Sequence, residues 1–200
     1  YFCGMSKLLQ PFYLQESAVE VARQLLGKEL CTNINGKLTS GIITETEAYM
    51  GVDDKASHAW NNRRTQRTEI MYCQGGVAYI YLCYGIHSLF NVVTNIQDVP
   101  HAVLVRSISP KRGIELIKKR RPVNKPLKQI ASGPGMVSQA LGIDCSMTGT
   151  SLLGNKIWIE NSDLQILSKQ ITTTARIGVD YAGPDAMLPY RFIINPEIYN

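Results

Sequence analysis

No stretch of this 200-residue chain approaches the ~18 consecutive apolar residues that a membrane-spanning helix needs. A membrane-embedded function is therefore not expected. The first residues lack the charged-then-apolar design of a signal peptide, so an intracellular protein is expected. The five cysteines, at 3, 31, 73, 83 and 145, are odd in number and form no C-x-x-C pair. That suggests neither a disulfide framework nor a zinc or iron–sulfur site, and leaves reduced core residues with no metal as the expectation. Repeats and low-complexity tracts are also missing.

What is present suffices for one domain. A chain of 200 residues with 44% hydrophobic content can bury a core of its own, and residues 1–200 are read as a single unit. The formal charge of +5 suits an anionic partner such as nucleic acid. In "SAVEVARQLLGKEL", Ser17 and Glu20 stand at capping-box spacing, Val19, Ala22, Leu25 and Leu26 share one helical face, and Gly27 ends the helix. Asn35-Gly36 between two β-prone runs predicts a hairpin with a type I′ turn. Gly51 to Thr68 reads as polar and irregular. Strands are expected at Val77 to Cys83, Ser88 to Thr94 and Ala102 to Ile108. Ser109-Pro110 reads as the cap and first position of a helix through "KRGIELIKKRR", and "SGPGMVSQALG" as another helix ended by Gly142. Short strands follow in "KIWIE", "TTTARIGV" and "PYRFII". Strands and helices do not alternate regularly, so the class is α+β: a compact domain with a curved, largely antiparallel sheet, surrounding helices and a protruding β-hairpin.

Several residues carry chemistry. In "ITETEAY" an extended backbone sends Glu45 and Glu47 to one face, ~7 Å apart along the chain, where each raises the other's proton affinity unless a cation intervenes. Arg106 is the available cation. It lies on a strand apolar on both faces, where a guanidinium is tolerated only when paired, and either glutamate can pair it. Asn91 shares a face with Leu89 and Val93, so its amide needs a buried partner. Tyr79 and Tyr81 lie on one strand face, Tyr84 begins a turn and Tyr49 ends the carboxylate strand. Singly these rings read as core, but with the carboxylates and the arginine they suggest a pocket that stacks a flat ring. The run from 111 to 128 holds eight basic residues and one acidic one, a solvated helix face that could also track phosphates.

The stretches "ITETEAYMG", "DKASHAW", "RTQRTEIMY", "YIYLCYGIHSLFNVVT", "AVLVRSISP", "SGPGMVSQALGI" and "ARIGVDYAGPDAMLPYRF", in that order, resemble the 3-methyladenine (alkyladenine) DNA glycosylase family. The resemblance runs from about Leu25 to the C-terminus, with departures at Gln66, Thr68 and Met136. It implies a base excision repair enzyme that flips alkylated or deaminated purines (3-methyladenine, 7-methylguanine, hypoxanthine, ethenoadenine) out of duplex DNA. The N-glycosidic bond is then hydrolysed without metal or organic cofactor, leaving an abasic site. The resemblance makes Glu47 the general base for water, which Arg106 and the backbone carbonyl of Ile177 help to hold. Tyr49, His58 and Tyr81 become the walls around the flipped base, Asn91 the residue that crowds guanine's exocyclic amine, and Tyr84 the wedge that fills the gap in the stack. With no lysine at an obvious nucleophile position, a monofunctional enzyme without lyase activity is expected. The expected partner is damaged double-stranded DNA bound by a monomer, cytoplasmic and nucleoid-associated in a bacterium or nuclear in a eukaryote. Two other readings compete. One is a non-catalytic damaged-DNA or nucleic-acid binding module using the same aromatic surface. The other is a sugar hydrolase with Glu45 and Glu47 on opposite sides of a bond, which their common strand face argues against.

Overall fold

In the computed structural model, residues 6–195 and 198 are described. The long strand β2 (Lys37–Tyr49) organises the fold because both of its edges are used. β1 (Glu29–Ile34) turns into it through Asn35 and Gly36, whose φ angles of 53° and 73° are the left-handed pair that a type I′ turn requires. One edge of β2 runs beside β5 (His101–Arg112); the other pairs first with β1 and then, at Glu45 to Glu47, with β8 (Arg191–Ile194). β3 (Ala78–Cys83) and β4 (His87–Thr94) extend the β5 side, and β6 (Ile157–Glu160) extends the β1 side. β7 (Ile171–Thr174) pairs with β8, completing an eight-stranded sheet in which every pairing is antiparallel. The α+β class is found as expected.

Helices cover one face of this sheet. After the short turn α1 (Gln10–Tyr13), helix α2 (Ala18–Leu25) starts where the Ser17 hydroxyl accepts the Glu20 N–H. Val21 is the fully buried valine of this helix, whereas Val19, assigned to that face from the sequence, is half-buried. Burying Leu25 completely contributes about 2–3 kcal/mol to this contact. α3 (Ile114–Arg120) and α4 (Pro134–Leu141) follow β5, and α4 ends as expected at Gly142, where φ is 71°.

Three expectations need correction. Ser109-Pro110 opens no helix: β5 continues through Arg112, and α3 begins only after Gly113, whose φ of 67° makes the break. Proline is tolerated there because β4 pairs with β5 only from His101 to Leu104, so the sheet is locally edge-like around Pro110. In "TTTARIGV" only the threonines are strand; residues 175–178 leave the sheet. The cysteines are free thiols, but Cys73, Cys83 and Cys145 are half-buried and only Cys31 is a core residue, while Cys3 lies outside the described residues.

Two irregularities between β2 and β5 aim the polar side chains. Ile43 pairs with Ile108, Glu45 with Ser107 and Thr46 with Val105, which leaves Thr44 extra on one strand and Arg106 extra on the other. Each extra residue reverses the alternation of faces. Ile43, Ala48, Val103, Val105 and Ile108 therefore all join the core, while Ala102, Leu104 and Arg106 line a cavity on the opposite face.

Candidate active site

The cavity has a volume of about 280 Å³, near the lower end of small-molecule pockets (~300–1,000 Å³) and suited to one flat heterocycle. Its walls are rings contributed by distant segments. Tyr79 and Tyr81 project side by side from β3 with centroids 5.5 Å apart, His58 meets Tyr81 edge-on at 4.6 Å, and Tyr49 comes from the end of β2. Tyr79, whose ring taken singly reads as core, is buried at 2% exposure but also lines the cavity. Its hydroxyl lies 2.7 Å from His58 Nδ1. Burial, reinforced by the charges of Arg67 and Arg63, lowers the His58 pKa to about 4, so the imidazole is neutral at physiological pH. Asn91 stands on β4 with its amide nitrogen donating to the carbonyls of Tyr79 (3.1 Å) and Leu89 (3.2 Å). This fixes the amide against the cavity wall.

Behind the wall lies Glu47, with no exposed surface. Its Oε2 accepts from the Tyr49 hydroxyl at 2.9 Å and from Arg106 Nη1 at 3.2 Å, and its Oε1 accepts from the Ile177 backbone N–H at 2.8 Å. Tyr49, Arg106 and Ile177 all line the cavity, so the carboxylate sits immediately beneath its surface. Arg106 also donates through Nε to Glu45 at 2.9 Å, so it pairs both glutamates rather than one. Burial works against the guanidinium's charge, but Glu47 and Glu45 outweigh it and raise the Arg106 pKa. The Tyr49 hydroxyl is pushed up by burial and by the adjacent Glu47 charge, so it is a donor in this arrangement.

Beside the cavity mouth the β3–β4 hairpin carries Tyr84, which is 92% exposed and has a φ of 50°. A bulky residue is disfavoured in the left-handed region, and nothing in the core requires it there. Leu82 and Ile86 flank it, also exposed.

The residues singled out from the sequence thus converge on one cavity, although they come from positions 47 to 177. Sequence reasoning missed their supports. Arg191 on β8 donates to Glu45 at 2.6 Å. Arg176, wholly buried, pairs with Asp54 and donates to the carbonyls of Ala48 and Asp185, fixing the segment that presents Ile177. A buried charge of this kind has a partner far away in sequence, and Arg176 in "TTTARIGV" gave only a weak hint of it. Tyr181 also lines the cavity, its hydroxyl donating to the Ala56 carbonyl at 3.1 Å.

The basic run is not one continuous charged face. Lys111 and Arg112 pair with Glu29 and Glu160, Arg120 donates to Thr39 and the Ala140 carbonyl, and Arg121 donates to Gln139 and the Ile130 carbonyl. Among the described residues Glu29, Cys31 and Glu160 place potential metal-ligand atoms within 4.8 Å of one another. Arg112 already donates to all three, so their lone pairs are engaged. No helix of the described residues is long and apolar enough to cross a membrane.

A ring-walled cavity backed by a sealed carboxylate–guanidinium pair, with an exposed aromatic at its mouth, can take up a flat base and set a carboxylate at its edge. The chain belongs to the methylpurine-DNA glycosylase (MPG) family, whose pattern it matches over residues 12–197. It is thereby a DNA repair glycosylase, a hydrolase whose substrate is DNA. Among its relatives, the protein named "Putative 3-methyladenine DNA glycosylase" of Chlamydia felis is 49% identical over 189 residues, covering 94% of this chain and 96% of the relative. The proteins of the same name from Chlamydia pneumoniae and Desulfitobacterium hafniense are 48% and 40% identical, covering 95% and 98% of this chain and 96% and 98% of their own lengths.

Proposed function

We propose that the protein excises alkylated and deaminated purines from duplex DNA by hydrolysis, and that Glu47 is its general base. The observation that carries this reading is the sealed Glu47 carboxylate, held by Tyr49, Arg106 and the Ile177 N–H directly beneath a cavity of single-base size. Cleavage of an N-glycosidic bond develops positive charge on the sugar, and a carboxylate that faces that charge and takes a proton from the attacking water serves both needs. Arg106 and the Ile177 carbonyl hold the water. The Ile177 N–H adds a second function to that residue by orienting the carboxylate itself.

Tyr49, His58 and Tyr81 enclose the extruded base, and cationic lesions such as 3-methyladenine gain ~0.5–2 kcal/mol over a tyrosine face. Asn91, unable to swing away from its two carbonyl partners, crowds the exocyclic amine that distinguishes guanine. Tyr84 wedges into the duplex and occupies the gap left by the flipped nucleotide, offsetting the few kcal/mol of unstacking. No lysine lines the cavity among the described residues, which supports a monofunctional enzyme without strand cleavage.

The test is release of free base from two duplexes, one carrying methylated purines and one a single hypoxanthine, by wild type and by Glu47→Gln, each with borohydride present and absent. Release by wild type alone, with no borohydride-stable adduct, is the expected result. Equal single-turnover rates for the two proteins would remove Glu47 from the role of base. Tight binding to both duplexes with no release by either would instead favour a binding module.

A further inference from the structure

Two of the cavity's aromatic walls carry an arginine. The guanidinium carbon of Arg176 lies 4.9 Å from the Tyr49 ring centre, and that of Arg67 lies 5.1 Å from the Tyr81 ring centre. Neither arginine lines the cavity itself. They differ in charge balance. Arg176 is buried and paired with Asp54. Arg67 is exposed and, among the described residues, forms no ion pair. The Arg67 charge also bears on the Tyr79 hydroxyl and on His58. The wall built from His58, Tyr79 and Tyr81 thus has an uncompensated positive charge behind it. No imidazolium is available there to protonate a departing base, because His58 is neutral.

We propose that Arg67 sets how the site divides its activity between neutral and positively charged purine lesions, by attracting the electron pair that the departing base takes with it. The proposal rests on the glycosylase reading above. In that reaction the C1′–N9 bond breaks with its electron pair going to the base. The water oxygen bonds to C1′, the water proton passes to Glu47, and the released base takes up a proton from solvent if it needs one. Hypoxanthine moves from neutral towards an anion, whereas 7-methylguanine moves from a cation towards neutral. A fixed positive charge favours both shifts alike, so it speeds the chemical step from the bound state for either lesion. On entry, however, it repels only the cationic base. Counted from free enzyme and DNA, the gain survives for the neutral lesion and largely cancels for the cationic one.

The experiment is a competition between a hypoxanthine duplex and a 7-methylguanine duplex, read as the ratio of kcat/KM values, with single-turnover rates and binding measured separately. Wild type, Arg67→Gln and Arg67→Lys are compared. In Arg67→Gln, single-turnover rates are expected to fall about fivefold on both duplexes, while binding to the 7-methylguanine duplex tightens by a similar factor. The kcat/KM ratio of hypoxanthine to 7-methylguanine then falls about fivefold, and Arg67→Lys, which keeps the charge, restores most of it. Equal weakening of binding to both duplexes, with an unchanged ratio, would make Arg67 a grip on DNA phosphates and overturn the proposal. An unchanged ratio with unchanged binding would overturn it too. No release by wild type from either duplex would overturn the glycosylase reading itself, and this proposal with it.

Discussion

Strand β5 presents two arginines that each tie together a pair of glutamates. Arg106 joins Glu45 and Glu47 at 2.9 and 3.2 Å; Arg112 joins Glu29 and Glu160 at 2.6 and 2.5 Å. In each set one glutamate, Glu47 or Glu29, has a fully buried side chain. By ion pairing alone the two sets are hard to tell apart. What differs is the surroundings. The Arg106 set lies under a ring-lined cavity, whereas around the Arg112 set Lys111, Ser40 and Trp158 complete the hydrogen bonds. A buried ion network is therefore weak grounds for assigning a catalytic site, and the neighbouring cavity supplies the discrimination.

The sharpest test of this difference is the same substitution at both places. Glu47→Gln is expected to lower single-turnover base release by about 10³–10⁴-fold, and also to cost about 3 kcal/mol of stability, because its amide NH2 must face either the Ile177 N–H or the Tyr49 and Arg106 donors. Glu29→Gln is expected to leave base release intact and cost about 3 kcal/mol in urea unfolding, since it takes a fully buried negative charge away from Arg112 and Lys111. If Glu29→Gln abolished release in a folded protein, the contrast between the two sets would fail. A smaller effect separates the arginines. Arg106→Lys keeps a charge but not the fork that spans Glu45 and Glu47, and about a 10–100-fold loss of release is expected. Arg112→Lys should cost only about 1–2 kcal/mol of stability, with release unchanged.

The pH dependence of stability separates the two regions more gently. The folded pKa of His58 is lowered from 6.5 to about 4, chiefly by burial and then by Arg67 and Arg63. Between those values the unfolded chain holds the extra proton, so stability falls as pH drops below 6.5. His101, also lowered by burial, adds to the same slope. Burial would raise the Glu29 pKa, but Ser40, Lys111 and Arg112 outweigh it and hold the carboxyl below its ordinary 4.5. The stability it contributes is complete above pH 4.5 and is lost as pH falls through its depressed folded value. Denaturant unfolding from pH 7.5 to 3 should therefore show a slope between 6.5 and 4.5 that His58→Gln reduces and Glu29→Gln leaves alone. A slope that moved with Glu29 in that window would contradict the assignment.

Much of this arrangement could be read along the chain. The Asn35-Gly36 turn, the strands around residues 78 to 94 and the helix ended by Gly142 each follow from local chemistry that tertiary packing did not override. Glu47, Arg106 and the tyrosines stood out because their residue types are costly or unusual on strands. The supports did not stand out. Asp54 and Arg176, or Glu45 and Arg191, meet only after long stretches of chain have been brought together, and no local pattern encodes such pairs. The end of β5 was misread because Ser-Pro is a good helix opening wherever a strand has two partners, and at Pro110 that second partner is missing. The extra residues Thr44 and Arg106 were equally invisible, since a bulge is defined by register against another strand.

Tyr84 pays a conformational penalty on its exposed turn that a glycine would not. Under the wedge role proposed for Tyr84, stability and repair pull this position in opposite directions. In a library randomised at residue 84, sorting for thermal resistance should enrich glycine and asparagine, whereas survival of cells under alkylating stress should enrich large aromatic residues. The hairpin tip would then record, in the frequencies of its own variants, which of the two pressures a population has lived under.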